Sequence, residues 1–247
     1  MTSVTAKLLG LGLLACLIAP VMSAGGLIVP ACPTASVAAY VALAGAACQI
    51  GDLEFSDFAY TNTFFPTLPG PPANAVTVTP STNSANPGFD LSAAWNVSNG
   101  AGMDSALTYL VATISGAATI DTASFGMTEV TTTPPVALQV TETLCVGVPL
   151  GPGNCPSADE IVLQIPNTGS QQISTSFGPV SELTISDDIF IRSLAPDGPD
   201  GSGYISNVGN NLPEATPEPG TPLLGLSGLL VLGQMARVAY RRRRQAL

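Results

Sequence analysis

Residues 136–165, VALQVTETLCVGVPLGPGNCPSADEIVLQI, contain the most regular hydrophobic pattern of the chain. In the first part, apolar residues alternate with polar or small residues, and a period of two is typical of a β-strand with one buried face. The two sets are Val136, Leu138 and Val140 against Ala137, Gln139 and Thr141. A loop rich in Gly and Pro follows, and a second apolar segment runs from Glu160 to Ile165. The stretch predicts a β-hairpin.

The same organisation extends over the central chain. Turn signals rich in Gly, Pro and Asn recur every 8 to 14 residues, which is typical of an all-β sandwich or barrel. Further strands are predicted at Leu53–Thr61, Ala75–Thr79, Phe89–Val97, Ala106–Ile114, Thr119–Thr131, Glu182–Arg192 and Gly203–Val208. The predicted fold class is all-β and β-sandwich-like, with the domain covering residues 25–210.

One short helix is predicted near the start of this domain. Either Thr34 or Ser36 can cap a helix over Val37–Leu43, and Gly45 then ends it. The first long strand follows, and we expect Phe55 and Phe58 to anchor it in the core.

The composition excludes several classes of function. Of 247 residues, 46% are hydrophobic and only 10% are charged, against about 25% charged in an average soluble domain. The absence of His removes Ser-His-Asp and Cys-His catalysis and His metal sites. A net charge of −10 argues against nucleic acid as a partner, because binding to nucleic acid needs Lys and Arg.

The N-terminal residues 1–24 have the pattern of a secretory signal peptide. Lys7 supplies the positive region, Leu8 to Pro20 the apolar region, and Ser23 and Ala24 the small residues of a cleavage site. An alternative is a lipoprotein, with acylation of Cys16, but the apolar run continues beyond that cysteine.

The C-terminal residues 211–247 form a linker followed by a membrane-directed tail. A Pro-Glu-Pro triplet at Pro217, Glu218 and Pro219 is extended, because proline fixes φ and lacks an N–H donor. The 20 residues from Thr221 to Tyr240 would span roughly 30 Å as a transmembrane helix. Arg241, Arg242, Arg243 and Arg244 would hold the end of the chain on the cytoplasmic side. An ordinary membrane anchor would show the same hydropathy.

The tail resembles the PEP-CTERM sorting signal of Gram-negative bacteria, also called the ice-binding protein C-terminal motif. The resemblance lies in the triplet, the apolar run Leu223 to Leu232 and the terminal arginines, in that order. It implies a precursor anchored transiently in the inner membrane and recognised by an exosortase, an integral-membrane cysteine protease. It also implies delivery to the cell surface or to an exopolysaccharide or biofilm matrix. The chain departs from the usual pattern at Gln234 to Tyr240, which separate the leucines from the arginines.

A second resemblance involves residues 48–58. This segment is similar to the Cys-x-Ile-Gly-Asp-x-x-Phe-Ser-x-Phe stretch of a group of exported PEP-CTERM proteins. The matching residues are Cys48, Ile50, Gly51, Asp52, Phe55, Ser56 and Phe58. The similarity implies an extracellular β domain and no catalytic role.

Four cysteines remain after removal of the signal peptide: Cys32, Cys48, Cys145 and Cys155. In an exported chain an even number predicts two disulfides, with three possible connectivities. We favour Cys32 with Cys48 and Cys145 with Cys155, because closing short segments costs little entropy. A metal site is disfavoured, since no Cys-x-x-Cys pair or His accompanies these residues.

Acidic residues are the remaining candidates for chemistry. Asp159 and Glu160, and Asp187 and Asp188, are paired carboxylates of the kind that glycosidases use. Adjacent residues of a strand point to opposite faces, so we expect solvated surface acids instead. Asp197 and Asp200 are candidate calcium ligands, with an ordinary acidic turn as the favoured alternative. No catalytic residue and no cofactor are predicted.

These observations favour a non-enzymatic exported protein of the envelope or extracellular matrix, processed by an exosortase. The alternative is a carbohydrate-binding or glycan-active protein of the exopolysaccharide matrix. Exposed aromatic side chains would distinguish the two. Trp95, the only tryptophan, alternates with Phe89, Leu91 and Ala93 and is therefore expected in the core.

Replacement of Pro217 and Glu218 with alanine is expected to leave export intact and to retain the protein in the inner membrane with its tail attached, because the extended triplet is lost. Mass spectrometry of the mature C-terminus measures this. Pro213→Ala with Glu214→Ala is the matched control, since it changes another Pro-Glu dipeptide nearby. An intact tail through Leu247 in a wild-type strain with a working exosortase would refute the sorting hypothesis.

Overall fold

The computed structural model describes residues 29–63, 69–98, 100–114, 119–128, 130–133, 136–147, 155–166, 171–194 and 202–215. The proposed signal peptide, with Cys16, and the C-terminal tail lie outside these residues. Within the described ranges, no helix has the length and apolar character needed to cross a membrane.

Two antiparallel sheets and one short helix make up the described chain. The elements are β1 (Ala35–Ser36), α1 (Val37–Val41), β2 (Cys48–Ile50), β3 (Leu53–Thr63), β4 (Thr77–Pro80), β5 (Gly88–Val97), β6 (Gly102–Thr113), β7 (Thr119–Thr128), β8 (Thr131–Thr133), β9 (Val136–Val146), β10 (Glu160–Pro166), β11 (Gln171–Val180), β12 (Glu182–Ser193), β13 (Ser202–Asn211) and β14 (Glu214–Ala215). The smaller sheet has the order β10-β9-β12-β6-β3-β2. The larger has the order β1-β4-β5-β13-β7-β11, with β8 paired to β13 and β14 to β7. The predicted all-β, sandwich-like class is confirmed.

The hairpin predicted from residues 136–165 is present as β9 and β10. The pairing runs from Glu160 opposite Cys145 to Pro166 opposite Gln139. Val136, Leu138 and Val140 are buried, so the period of two places the apolar residues between the sheets.

Both favoured disulfides are present. Cys32 is bonded to Cys48, with their Cα atoms 4.7 Å apart, and Cys145 to Cys155, with theirs 5.5 Å apart. The first ties the N-terminal segment to the edge strand β2, and the second closes the connection between β9 and β10. Because such bonds persist in oxidising compartments, they indicate an extracellular or otherwise oxidising environment for the domain.

The helix is shorter than predicted. Ser36 is the N-cap, and its hydroxyl accepts a hydrogen bond from the N–H of Ala39 at 3.3 Å. The helix ends at Val41 because the chain then tightens into turns and Ala44 enters the left-handed region, with φ of 48°. Gly45 follows at φ of 88°, a conformation that glycine adopts without strain.

A bulge in β3 places both predicted phenylalanines in the core. The pairing of β3 with β6 shifts between Ser56 and Ala59, and Asp57 has a φ of 53°. Asp tolerates this left-handed conformation better than most residues. The extra residue allows Phe55 and Phe58 to face inward although they are three positions apart.

The aromatic core lies where β3, β5 and β6 meet. The rings of Phe55 and Phe89 are 4.7 Å apart, and Phe89 also contacts Tyr109 at 5.6 Å and Tyr40 at 5.5 Å. These edge-on contacts join the two sheets. Trp95 is buried as predicted, and its indole N–H donates to the Ser105 hydroxyl across the sandwich at 2.9 Å.

Several strand predictions were wrong. Strand β11 was missed because its Ser, Thr, Gln and Gly residues give little hydrophobic alternation. It lies at one edge of the larger sheet and contacts β10, at the edge of the smaller sheet. The predicted strand Thr119–Thr131 is two strands, β7 and β8, and β6 begins at Gly102 rather than at Ala106.

Replacing Cys145 and Cys155 together with alanine is expected to lower the free energy of unfolding by roughly 3 kcal/mol, because the unfolded chain regains loop entropy. Chemical denaturation of the oxidised protein and of the double variant measures this difference. Peptide mapping under non-reducing conditions checks the pairing, and a bond between Cys32 and Cys145 would contradict the local connectivity.

Candidate functional site

The outer face of the larger sheet carries a polar groove. Strands β5, β13, β7 and β11 are neighbours in this sheet, and alternation directs every second side chain of each strand away from the core. The groove is lined on this face by Asp90, Ser92, Gly126, Thr128, Gln172, Asn207, Gly209 and Asn211. Amide, hydroxyl and carboxyl groups therefore dominate it.

Two glycines form the floor of the groove. Gly209 of β13 lies directly opposite Gly126 of β7 in the strand register. A Cβ atom on Gly209 would come within 2.3 Å of Oδ1 of Asp90, so the carboxyl group occupies the space that a side chain would need. The lack of side chains at these paired positions leaves a depression of about 190 Å³.

A second depression, of about 400 Å³, adjoins the first and shares Thr128 and Asn207 with it. The Asn207 amide donates a hydrogen bond to the Ser92 hydroxyl at 3.3 Å, which holds its side chain across β5. The pairing of β5 with β13 shifts by one residue here, between Trp95 opposite Ile205 and Ser92 opposite Asn207. Such irregularities redirect side chains, and they are common near functional sites.

Tyr204 stands on the wall of this second depression. It is 36% exposed and is the only aromatic among the exposed large hydrophobic residues of the described chain. A tyrosine with an open ring and a polar hydroxyl offers both an apolar surface and a hydrogen-bonding group. Tyr204 was not predicted as a site residue, because the bulge between Ile205 and Asn207 breaks the alternation that would have placed it on the same face as Asn207.

The charge of the groove is low and negative. Among the lining residues, Asp90 is the only one with an acidic or basic side chain. Burial raises the pKa of its carboxyl group. Residues 25–220 contain 17 acidic residues and a single basic one, Arg192. The groove therefore suits an uncharged, hydrogen-bonding ligand and disfavours an anionic one.

A second polar cluster lies between the sheets. Glu142 of β9 and Asp187 of β12 are direct cross-strand neighbours, and both are fully buried, with exposures of 0% and 1%. We call these two residues the buried acid pair. The expectation that Asp187 is a solvated surface acid was wrong, because β12 alternates so that Asp187 faces inward. The prediction that Asp187 and Asp188 point to opposite faces is confirmed, since Asp188 is exposed.

The buried acid pair has few hydrogen-bonding partners. Both carboxyl oxygens of Glu142 and Oδ1 of Asp187 receive no hydrogen bond from another side chain or from the backbone, while Oδ2 of Asp187 accepts from the Asn210 amide at 3.0 Å. The two carboxyl groups can share a hydrogen bond with each other when one of them is protonated. Burial, followed by the charge of Asp187, raises the pKa of Glu142 well above its usual range. Burial also raises the pKa of Asp187 to about 7. Two like charges on directly paired residues in an apolar interior are unfavourable. The pair therefore retains protons at pH values where exposed acids are ionised.

The sequence did contain a signal for Glu142. It continues the buried set Val136, Leu138 and Val140 at the same period of two. A glutamate in that register is rare, because burial of an unpaired charge is costly.

The other predicted site residues fall into two groups. Asp159 and Glu160 lie on the surface, half-buried and exposed respectively. Outside the described residues lie the candidate calcium ligands, the sorting triplet and the arginine cluster, which are Asp197, Asp200, Pro217, Glu218, Pro219, Arg241, Arg242, Arg243 and Arg244. Within the described part of the chain, no group of three or more Cys, Asp or Glu residues is arranged to hold a metal ion.

Among known proteins, similarity to this chain is found in solved structures. No family model matches the chain, and no curated protein matches it. A solved structure of TmCBM61 in complex with β-1,4-galactotriose aligns with a TM-score of 0.32 and 13% sequence identity, covering 63% of this chain and 88% of TmCBM61.

Glu142→Gln is expected to make the protein more stable at neutral and alkaline pH. Because the pKa values of the pair are raised in the folded state, the folded protein binds more protons than the unfolded chain from about pH 4 upward, and stability falls as the pH rises. The shift of Asp187 from 3.8 to about 7 corresponds to roughly 4 kcal/mol. Glutamine keeps the shape of Glu142 and removes its charge.

Thermal unfolding between about pH 5 and pH 8 measures this effect. The wild-type melting temperature should fall over this interval, and that of the Glu142→Gln variant should fall less. Glu160→Gln, at an exposed position on the neighbouring strand, is the control and should behave like the wild type. A wild-type protein that gains stability as the pH rises would contradict the assignment.

Proposed function

We propose that the protein is a non-enzymatic exported component of the cell envelope or extracellular matrix, and that its β-domain binds a neutral glycan in the polar groove. Sugars present many hydroxyl groups and few charges, and their ring C–H faces pack on aromatic rings. A site for them needs amide and carboxyl groups beside an exposed aromatic side chain.

The observation that carries this proposal is the juxtaposition of Tyr204 with Asn207. Both line the second depression, and the hydrogen bond from Asn207 to Ser92 orients the amide before any ligand arrives. Preorganised polar groups lose less entropy on binding. The first depression adjoins them at the glycine pair and adds the Asp90 carboxyl group as a further hydrogen-bonding group.

The charge distribution favours a neutral ligand over an acidic polysaccharide. Uronates and sulfated sugars carry negative charge, and residues 25–220, with one basic residue against 17 acids, would repel them. The only ionisable carboxyl in the groove, Asp90, accepts hydrogen bonds from sugar hydroxyl groups when it is ionised.

The buried acid pair does not support a glycan-active enzyme. Most glycosidases use two carboxyl groups for catalysis. Glu142 and Asp187, however, lie between the sheets, where a polysaccharide cannot reach them. The proposed role is therefore binding.

Sorting by an exosortase-type membrane protease completes the proposal. It rests on the order of the Pro-Glu-Pro triplet, the apolar run and the arginines at the C-terminus. The two disulfides support the same compartment. Processing of the tail would release the glycan-binding domain from the inner membrane toward the exopolysaccharide.

Tyr204→Ala is expected to weaken binding of a neutral oligosaccharide by about 2- to 13-fold, because an aromatic contact contributes roughly 0.5–1.5 kcal/mol. Tyr204→Phe should retain most of the affinity, since the ring remains. The measurement is calorimetric titration of the exported protein with galacto-, gluco- and xylo-oligosaccharides, after a screen on a glycan array.

Asn207→Ala should weaken binding as well, by removing a preoriented amide. Gln139→Ala is its matched control, because Gln139 is an exposed amide on the outer face of the smaller sheet. Preferential binding of oligogalacturonate, or equal affinity of the wild type and Tyr204→Ala, would overturn the proposal.

A further inference from the structure

Asn210 connects the buried acid pair to the polar groove. It is a residue of β13 in the larger sheet, and its side chain points between the sheets toward the smaller one. Its amide nitrogen donates to Oδ2 of Asp187 at 3.0 Å and to the hydroxyl of Tyr109. Its amide oxygen accepts from the backbone N–H of Phe89, on β5, at 3.1 Å. One buried side chain thus contacts three strands.

The neighbours of these atoms along the chain line the groove. Gly209 and Asn211 flank Asn210 on β13 and face outward, and Asp90 follows Phe89 on β5. Gly209 and Asp90 are direct partners in the strand register. Any displacement of Asn210 therefore moves the floor of the groove on the other side of the same sheet.

The buried acid pair can be protonated or deprotonated, and these states differ in charge. With protons bound, the two carboxyl groups can face each other without repulsion. Loss of both protons places two like charges on directly paired residues in an apolar interior, where three of the four carboxyl oxygens receive no hydrogen bond from another side chain or from the backbone. Their repulsion is relieved only if water enters or the carboxyl groups move apart.

The groups that face the pair do not neutralise it. Tyr109 of β6 is the other titratable group against it, and both burial and the two carboxyl charges raise the pKa of its hydroxyl. Asn210 is the polar contribution from β13. The nearest acids on the same strands, Asp188 of β12 and Asp104 of β6, pair with each other on the outer face of the smaller sheet. No basic side chain of the described residues takes part in the hydrogen bonds or charge interactions of the pair.

We propose that protonation of the Glu142–Asp187 pair controls the ligand affinity of the polar groove, through Asn210 and strand β13. The protonated pair holds β13 and β5 in the arrangement described here, which is the binding-competent one. The deprotonated pair disturbs Asn210 and with it the glycine floor. Affinity should therefore be higher at acidic pH, and by linkage a bound ligand should favour proton uptake.

This inference rests on the proposed function for its ligand, but the coupling itself is measurable without one. Hydrogen–deuterium exchange of the full-length exported protein reports protection of β13 and β5 at about pH 5.5 and pH 7.5. Comparison of the wild type with Glu142→Gln at the same pH removes the intrinsic effect of pH on exchange. Peptides from β3 serve as the internal reference for the rest of the fold.

At the higher pH we expect the amides of β13 and β5 to exchange at least about threefold faster in the wild type than in Glu142→Gln. At the lower pH the two proteins should exchange at the same rate. Asp188→Asn is the matched control. Burial, followed by Asp104, raises the pKa of Asp188 to about 7, yet this residue lies on the opposite face of β12. The control should behave like the wild type.

Three outcomes would overturn the inference: the same exchange in the wild type and Glu142→Gln at both pH values, a loss of the effect in Asp188→Asn, or an equal change in β3 and β13. The last would show general destabilisation. Asp187→Asn replaces Glu142→Gln if the latter does not fold.

A titration with the neutral oligosaccharide from the array is the second arm. Wild-type affinity should fall at least about threefold between the two pH values, and that of Glu142→Gln should fall less, because only Asp187 then loses a proton. If no oligosaccharide binds while the exchange result holds, the proposed function fails and the coupling stands. If the oligosaccharide binds with equal affinity at both pH values, the coupling to affinity fails and the proposed function stands.

Discussion

The contact of Phe89 with the aromatic rings of the opposite sheet joins the two halves of the domain. Phe89 lies on β5 of the larger sheet, and Phe55 and Tyr109 lie on β3 and β6 of the smaller one. A sandwich is stable only if both apolar faces are covered at once, and large rings cover the most area per residue. The bulge at Asp57 contributes directly, because without it Phe58 would face solvent. Tyr40 of the helix also packs on Phe89, so the aromatic rings, the bulge and the helix form one structural unit.

The polar residues of the interior lie beside this aromatic unit. Tyr109 contacts Phe89 through its ring and Asn210 through its hydroxyl. Asn210 in turn accepts a hydrogen bond from the backbone of Phe89. The same few atoms thus fix the spacing of the sheets and hold the buried acid pair. Carboxyl groups buried between the sheets lower the free energy of unfolding at neutral pH. Sites of this kind are often functional.

Local patterns predicted the local structure well. The alternation from Val136 to Val140 identified β9, and the position of Trp95 in β5 identified a buried residue. Short spacing between cysteines indicated both disulfides. Strand β11 was not predicted because its side chains are uncharged and weakly apolar, and its pairing with β7 is made by the backbone.

The groove could not be predicted from the sequence for a different reason. Its floor depends on Gly126 and Gly209 lying opposite each other across two strands that are far apart in sequence, and register is a tertiary property. The burial of Glu142 could be read from the alternation of its strand. Its pairing with Asp187 could be predicted only with knowledge of the order of the strands in the sheet.

Strand β14 has a consequence for how the domain bears mechanical load. Its two residues pair with β7, Glu214 opposite Ile120 and Ala215 opposite Thr119, and they are the last described residues of the chain. A pulling force applied to the chain after residue 215 acts first on these two pairs. Once they separate, the force passes to β13, the next strand along the chain and the one that carries Asn207 and Gly209. Such a force would then disturb the groove before it reaches the aromatic core.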